Sequence, residues 1–162
     1  MAFGTNPIRG FLCTLFLFIT GRVRFDRSAV GKTLQTPDGK TFRVFRRVEI
    51  LHRNRVRPEA CFIVRFRPMR MSVTQNERFS KLPMIVFMGF KGFRSKYWCN
   101  DPKTGLCQGV YEWQTKQDAQ RYSESIAMRF MARRSDPSAV SFNILDNSQR
   151  NVTLLGPWNK EG

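Results

Sequence analysis

The sequence predicts an α+β fold in which strands and helices follow one another as β-α-β-β-α-β, behind a basic N-terminal extension. Apolar and charged residues alternate along 61–67, as in a strand with one buried face. A turn at 101–105 joins two further strand-like segments, 92–99 and 107–113, as in a hairpin. Helix signals follow both the first strand and this hairpin, and a last strand-like segment at 139–145 completes the pattern.

Caps and prolines mark the two helical segments. Residues 72–82 are polar with periodic apolar positions, and Pro83 separates them from a more apolar piece at 84–90. The second segment begins after Thr115, whose side chain can cap a helix, and it ends before Asp136-Pro137. We expect this second helix to bury Ala119, Tyr122, Ile126 and Phe130.

Composition and charge limit the function classes. The chain has 162 residues, of which 41% are hydrophobic and 13% aromatic, and this content excludes a wholly disordered chain. A net charge of +16 predicts attraction to an anionic lipid surface, nucleic acid or acidic ligand. Four cysteines without a CxxC pair, and His52 as the single histidine, are poor material for a disulfide scaffold or a zinc site. We therefore predict reduced thiols, a cytoplasmic location, no metal and no cofactor.

Residues 1–58 form the predicted basic N-terminal extension. Its apolar stretch at 11–19 is far shorter than the ~20 residues that a membrane-spanning helix needs. We predict an apolar helix at about 8–20, which either lies in a membrane surface or packs on the protein's own domain or a partner. The residues for a membrane or partner contact would be Phe11, Leu12, Leu15, Phe16, Ile19, Arg22 and Arg24.

A β-hairpin is predicted at about 29–50. Thr36-Pro37-Asp38-Gly39 is a strong turn signal, and apolar residues alternate with arginines after it. The basic connector HRNRVRP, residues 52–58, marks the boundary with a domain at 59–146. A polar tail follows at 147–162 and gives no clear structural signal.

The hairpin at 92–113 predicts the two faces of the sheet. With the loop centred on Lys103, Tyr97 would pair with Gly109 and Phe93 with Trp113, which places aromatic side chains together under the helices. The opposite face would be polar and cationic. Its candidate residues are Arg65, Arg94, Lys96, Trp98 and Glu112.

Residues 60–145 resemble a known family. The likeness is carried by Gly92-Phe93-Arg94-Ser95-Lys96-Tyr97-Trp98, Thr104-Gly105, Gly109-Val110-Tyr111-Glu112-Trp113, Asp118-Ala119, Tyr122, Ser125 and Ser138-Ala139-Val140. This pattern is similar to the antibiotic-biosynthesis-monooxygenase-like superfamily, and in particular to the YdhR-type monooxygenases. The predicted β-α-β-β-α-β order is that of a ferredoxin-like unit. The resemblance implies that two such units pair as a dimeric α/β barrel, with the charged face inside a homodimer.

The resemblance also implies a class of activity. The superfamily includes cofactor-free oxygenases of polycyclic phenols, haem-degrading enzymes and proteins with no shown activity. Haem degradation is not expected, because that reaction uses a histidine as iron ligand and His52 precedes the domain. A cofactor-free oxygenase needs an aromatic pocket with positive charge, which Arg94 or Lys96 could supply. The pocket candidates are Tyr97, Tyr111, Trp113 and Tyr122, although buried aromatics under a helix are more often simply core.

Three functions stay open on the sequence. The first is a binding domain for an aromatic or hydrophobic small molecule, resembling cofactor-free monooxygenases and attached to the inner face of the membrane. The second is a non-catalytic subunit that docks on a membrane or a larger assembly through its N-terminus. The third is nucleic-acid binding through the basic arm Arg43 to Arg57, and it ranks last. RNA binding through the sheet is not expected, because Lys91-Gly92-Phe93 matches an RNA-recognition motif poorly.

Overall fold

The computed structural model describes residues 6–52 and 56–159, so part of the basic connector, 53–55, lies outside the described residues. The strands are β1 (Val23–Phe25), β2 (Lys32–Gln35), β3 (Thr41–Ile50), β4 (Ala60–Phe66), β5 (Phe93–Asn100), β6 (Cys107–Trp113), β7 (Ser141–Asp146) and β8 (Thr153–Pro157). The α-helices are α1 (Pro7–Ile19), α2 (Val73–Phe79), α3 (Lys81–Phe87), α4 (Lys116–Ser123) and α5 (Ile126–Arg133).

One antiparallel sheet contains all of these strands. Its order is β7-β4-β6-β5-β3-β2-β8, and β1 pairs with β3 beside this row. Helices α2 and α3 connect β4 to β5, and helices α4 and α5 connect β6 to β7. The strands β7-β4-β6-β5 with these helices form a β-α-β-β-α-β unit. The predicted α+β fold is therefore confirmed.

The hairpin β2–β3 and the C-terminal strand β8 extend this sheet and curve it. Strand β3 pairs with β5, and β8 pairs with β2. Strands β7 and β8 lie at opposite ends of the row, yet residues 147–152 alone connect them. Six strand spacings measure about 29 Å in a flat sheet, whereas this connection reaches at most about 25 Å when fully extended. The sheet must therefore curl.

The curled sheet buries apolar residues on both of its faces. On the face under the helices, Phe62 and Trp113 are fully buried. The inner face is the side of the curled sheet that faces away from the helices. On it, Phe42 of β3 and Leu34 of β2 pack with residues of the central strands, and Leu154 of β8 packs against them. The prediction of a polar, cationic second face is therefore wrong, because the chain's own β2 and β8 cover that face. The central-strand residues of this inner cluster are Cys61, Ile63, Cys99 and Val110.

A β-bulge at Arg94 sets the register of the β5–β6 hairpin. Phe93 pairs with Trp113, in agreement with the predicted register, but Ser95 pairs with Glu112. The extra residue in β5 shifts every later pair by one position, so the predicted register is wrong from Ser95 onward.

The shift exchanges the faces of the residues after the bulge, because side chains alternate along a strand. Lys96 now pairs with Tyr111 and lies with Trp98 on the face under the helices. Tyr97 and Cys99 belong to the inner cluster instead. The predicted faces of Lys96, Tyr97 and Trp98 are therefore wrong.

The second helical segment also differs from its prediction. It breaks at Glu124, and Ser125 caps α5 by accepting a hydrogen bond from the backbone N–H of Met128. Ala119 and Tyr122 are buried, as predicted. Ile126 and Phe130 are exposed, and Met128 is buried in their place, because the break turns α5 about its axis relative to α4.

Helix α1 packs on α3 through two glycines. A Cβ atom at Gly89, just after α3, would lie 1.9 Å from the carbonyl oxygen of Gly10 in α1. A Cβ atom at Gly10 would lie 2.5 Å from the carbonyl oxygen of Val86. Only glycine allows the two backbones to come this close. One side of α1 therefore lies on the protein's own domain, while most of its large apolar side chains are exposed.

The variant Gly89→Ala is expected to loosen α1 from the domain. The added methyl group forces the two backbones apart, and overpacking of this kind destabilises by about 1–3 kcal/mol. Urea unfolding measures the loss, and proteolysis near Gly21 reports the loosened helix. Gly156→Ala is the matched control, because its Cβ would meet no atom within 4 Å. Equal stability of the two variants would contradict the glycine contact.

Candidate functional site

A cavity of about 80 Å³ lies between the sheet and the helices α2 to α5. Val64, Trp98 and Gly109 line it from the sheet, and Phe87 and Met128 line it from the helices. Most of the lining is apolar, as in many small-molecule sites. Among the described residues, neither Asp nor Glu lines the cavity.

Three polar side chains that line the cavity, one each from β5, β6 and α4, form a chain of hydrogen bonds. Lys96 Nζ donates to Tyr111 Oη at 2.5 Å, and Tyr111 Oη lies 2.8 Å from Tyr122 Oη. All three side chains are buried, and Lys96 is 7% exposed. A buried polar chain is worth more than its parts when every member has a partner, and it is costly otherwise.

Aromatic rings surround the Lys96 nitrogen. Its Nζ lies 4.1 Å from the ring centroid of Tyr111, 4.4 Å from that of Trp98 and 4.6 Å from that of Phe87. These distances are within the range of cation–π attraction. The rings therefore favour a positive charge at this nitrogen, although the burial disfavours it.

Burial dominates the electrostatics of this group. It lowers the pKa of Lys96 well below the usual range, and the nearby Arg46 guanidinium lowers this pKa further. The salt bridges among the described residues do not include Lys96. Burial likewise raises the pKa of Tyr111 well above its usual range, and it raises the pKa of Tyr122. Both phenols therefore stay protonated.

The local sequence explains how Lys96 reaches the cavity. The bulge at Arg94 turns Lys96 toward the helices, and Gly109 on β6 leaves room for it. A Cβ atom at Gly109 would lie 2.7 Å from Tyr111 Cε2 and 3.1 Å from Lys96 Cε. A glycine in a strand interior is typical of such a close approach.

The outer part of the cavity is lined by flexible side chains. Methionines from the loop after β4 and from α5 lie here, and Arg134 stacks over the rings of Phe79 and Phe130 at 4.5 and 5.4 Å. Methionine adapts its shape easily. A cavity of about 150 Å³ accommodates benzene. The cavity described above is smaller, so the side chains of its outer part would have to move to admit an aromatic ligand. The four methionines are Met69, Met71, Met128 and Met131.

No protein-family model and no curated protein matches the chain. One similar solved structure is an uncharacterized ferredoxin fold protein related to antibiotic biosynthesis monooxygenases from Listeria monocytogenes 4b F2365. The TM-score is 0.53 at 8% identity, over 67% of this chain and 64% of that chain.

The fold is ferredoxin-like. At such low identity the likeness establishes the fold alone, and the chain spans 64% of the length of the matched protein. The resemblance to the monooxygenase-like superfamily stays a prediction. The finer assignment to YdhR-type proteins and the dimer stay predictions.

The ferredoxin-like unit brings part of the predicted pocket together. Tyr111 and Tyr122 line the cavity. Trp113 lies next to them, with its ring centroid 5.0 Å from that of Tyr122, but it does not line the cavity. Tyr97 is on the inner face, 4.5 Å under the guanidinium of Arg47, so its predicted place in the pocket is wrong.

The residues predicted for a charged sheet face divide into two groups. Lys96 and Trp98 line the cavity, contrary to the prediction. The other three, Arg65, Arg94 and Glu112, form hydrogen bonds or ion pairs with other side chains of the protein. Arg65 binds Asp38 and Gln108, Arg94 donates to Gln114, and Glu112 accepts from Ser95 and Arg150.

Within residues 6–52 and 56–159, no group of three His, Cys, Asp or Glu side chains is arranged to hold a metal ion. Cys61, Cys99 and Cys107 are buried free thiols. Burial raises the pKa of Cys61 and of Cys107 to about 12 each, so neither is an activated nucleophile. The reactive chemistry of this cavity therefore rests on the Lys96 amine and the two phenols.

Proposed function

We propose that this protein binds a small aromatic or hydrophobic molecule in the cavity beneath its helices. The observation that carries the proposal is the hydrogen-bonded chain of Lys96, Tyr111 and Tyr122 inside an otherwise apolar cavity. A few convergent polar groups in an apolar pocket are the usual design of a ligand site. The fold supports the proposal, because the similar protein from Listeria monocytogenes is described as related to antibiotic biosynthesis monooxygenases.

A structural role alone explains the polar chain poorly. Burying an amine without a carboxylate partner is unfavourable, and methionine and phenylalanine at these positions would fill the same space without that penalty. Titratable groups with strongly perturbed pKa values are enriched at functional sites. Lys96 and Tyr111 both have such values, for reasons of burial.

Ligand binding is tested by thermal unfolding with phenol, 1-naphthol and hydroquinone, together with oxygen uptake to detect turnover. A bound ligand at 100 times its Kd stabilises by about 2.7 kcal/mol. The cavity-filling variant Ala127→Phe should lose this effect, because Ala127 lines the cavity. Ala132→Phe, on the same helix but not in the lining, should keep it. No stabilisation by any ligand, or equal stabilisation of both variants, would contradict the proposal.

A second candidate is docking of α1 on an anionic membrane surface at the inner face of the membrane. Large apolar side chains of α1 remain exposed, and such patches mark interaction sites. Arg9, Arg22 and Arg27 flank them in the sequence and suit anionic headgroups, whereas the fourth predicted arginine, Arg24, is ion-paired with Glu49. The exposed apolar residues are Ile8, Phe11, Leu12, Leu15, Phe16, Phe18 and Ile19.

Helices of the described residues are all too short or too polar to cross a bilayer. The proposal itself is one of peripheral binding, through the exposed apolar side chains of α1.

Vesicle sedimentation tests the membrane proposal. Phe16 on α1 and Ile126 on α5 are both 56% exposed, so they form a matched pair. Phe16→Asp should weaken binding to phosphatidylserine-containing vesicles at least about tenfold, whereas Ile126→Asp should not. Equal binding of both variants would contradict the proposal. If the unmodified protein does not bind vesicles, the membrane proposal is wrong, and the exposed side chains of α1 would instead contact a protein partner.

The nucleic-acid alternative gains no support from the described part of the basic arm. Arg43 binds Glu77, Arg46 binds Ser80, and Arg47 binds Asp26. The homodimer implied by the family resemblance stays a prediction, and the native mass of the full chain tests it.

A further inference from the structure

We infer that the cavity is a site for carbonyl compounds, in which the Lys96 amine forms an imine with a small apolar aldehyde or ketone. This inference deepens the proposed ligand-binding function and rests on it. It names a chemical class of ligand and the atom that reacts with it.

The hydrogen bonds leave the amine free to act as a nucleophile. Lys96 Nζ donates to Tyr111 Oη at 2.5 Å, and Tyr111 can donate onward to Tyr122 Oη at 2.8 Å. An amine that only donates keeps its lone pair for an electrophile. The lysine also lines the cavity, so a molecule inside it meets this nitrogen.

The charges around the nitrogen favour the neutral amine in the free protein. Arg46 of β3 repels a positive charge there, and burial disfavours it. Helices α2 and α3 contribute the uncharged Asn76 and Ser80 to the cavity. The other titratable or charged groups that face the cavity are Cys99 of β5, Cys107 and Tyr111 of β6, Tyr122 of α4, and Arg134 after α5.

The aromatic rings suit the product. An iminium ion carries a positive charge that is spread over carbon and nitrogen. The rings of Tyr111, Trp98 and Phe87 lie 4.1 to 4.6 Å from Nζ, where they attract such a cation. The rings therefore offset part of the cost that burial imposes on the iminium ion, which becomes a neutral imine when it loses its proton.

The chemistry balances without an oxidant or a reductant. The Lys96 nitrogen adds to the carbonyl carbon, and a proton moves from nitrogen to the carbonyl oxygen to give a carbinolamine. Tyr111 then donates its proton to the hydroxyl group, which leaves as water while the nitrogen lone pair forms the C=N bond. Tyr111 regains a proton from the iminium nitrogen, and the products are the neutral imine and one water molecule.

The test is reductive trapping with benzaldehyde and cyanoborohydride at pH 7, followed by peptide mapping. We expect Lys96 to be labelled at least about tenfold faster than the exposed Lys81 and Lys91. Tyr111→Phe should slow the labelling at least about tenfold, since it removes the proton donor. Lys96→Met should abolish the fast label, and Lys91→Met should not change it.

The controls separate this inference from the proposed function. Benzyl alcohol has nearly the shape of benzaldehyde but no carbonyl group, and its binding is read from thermal unfolding. If it stabilises the protein while Lys96 is labelled no faster than Lys81, the imine inference is wrong and the binding function stands. If neither compound stabilises the protein and Lys96 is not labelled, both fail. The labelling rate of Lys96 relative to Lys81 in the unmodified protein tests the imine inference even if a variant does not fold.

Discussion

Replacing Lys96 by methionine is expected to raise the free energy of unfolding at pH 7 by about 1–3 kcal/mol. Methionine fills nearly the same volume and removes an amine that is buried without a carboxylate partner. Tyr111 keeps its contact with Tyr122 in this variant. Such a gain is typical where a ligand site has been retained at the expense of stability.

The effect of Lys96→Met should depend on pH in one direction. Folding lowers the pKa of Lys96 below its unfolded value of about 10.4, so the unfolded chain binds more protons between the two values. The free energy of unfolding of the unmodified protein therefore rises with pH between the folded-state and unfolded-state pKa values of Lys96. Below the folded-state pKa, burial of the charged amine destabilises the protein to the full extent. The advantage of the variant should shrink as the pH approaches about 10.

Urea unfolding across this pH range measures the difference between the two proteins. Lys91→Met is the control, because Lys91 is exposed. A variant Lys96→Met that is less stable than the unmodified protein at pH 7 would show that the lysine is a structural element rather than a functional one.

Replacing Phe87 by alanine is expected to lower the free energy of unfolding by about 3–5 kcal/mol. The Phe87 ring is 1% exposed and contacts four aromatic side chains, as well as the amine of Lys96. Its ring centroid lies 5.6 Å from that of Phe93, 5.7 Å from Tyr111, 5.8 Å from Trp98 and 6.0 Å from Tyr122.

The same variant should also enlarge the ligand cavity, because Phe87 lines it. Benzene binds to apolar cavities opened in this way, so it should recover part of the stability that Phe87→Ala loses. Phe130→Ala is the matched control, since its ring is 46% exposed, and we expect it to lose less than about 1 kcal/mol. Equal losses for the two variants would contradict the place of Phe87 at the centre of the core.

The order of strands and helices was predictable because each signal is local. Alternation in β4, the turn between β5 and β6, and the cap at Thr115 all depend on neighbouring residues. Strand β8 was missed, because its segment Thr153–Pro157 contains glycine and proline and forms a strand by pairing with the distant β2. A pairing between opposite ends of a chain leaves no local pattern.

The candidate site was predictable in part for the same reason. Tyr111 and Tyr122 were identified from their own strand and helix, where alternation and helical period place them. Lys96 was assigned to the wrong face, because no glycine or proline marks the bulge at Arg94 and one extra residue reverses a strand's faces. A lone lysine between Phe93 and Trp98 was the available signal for a buried amine.

The most direct test of a ligand site beneath the helices is the methyl spectrum of the protein with carbon-13-labelled methionine, recorded during titration with phenol. Met69, Met71, Met128 and Met131 line the cavity, whereas Met84 and Met88 are buried in the same core outside it. A ligand site in this cavity predicts saturable shifts of the cavity methionines and unchanged signals from Met84 and Met88. Absence of any shift, or equal shifts of both groups, would contradict a ligand site in this cavity.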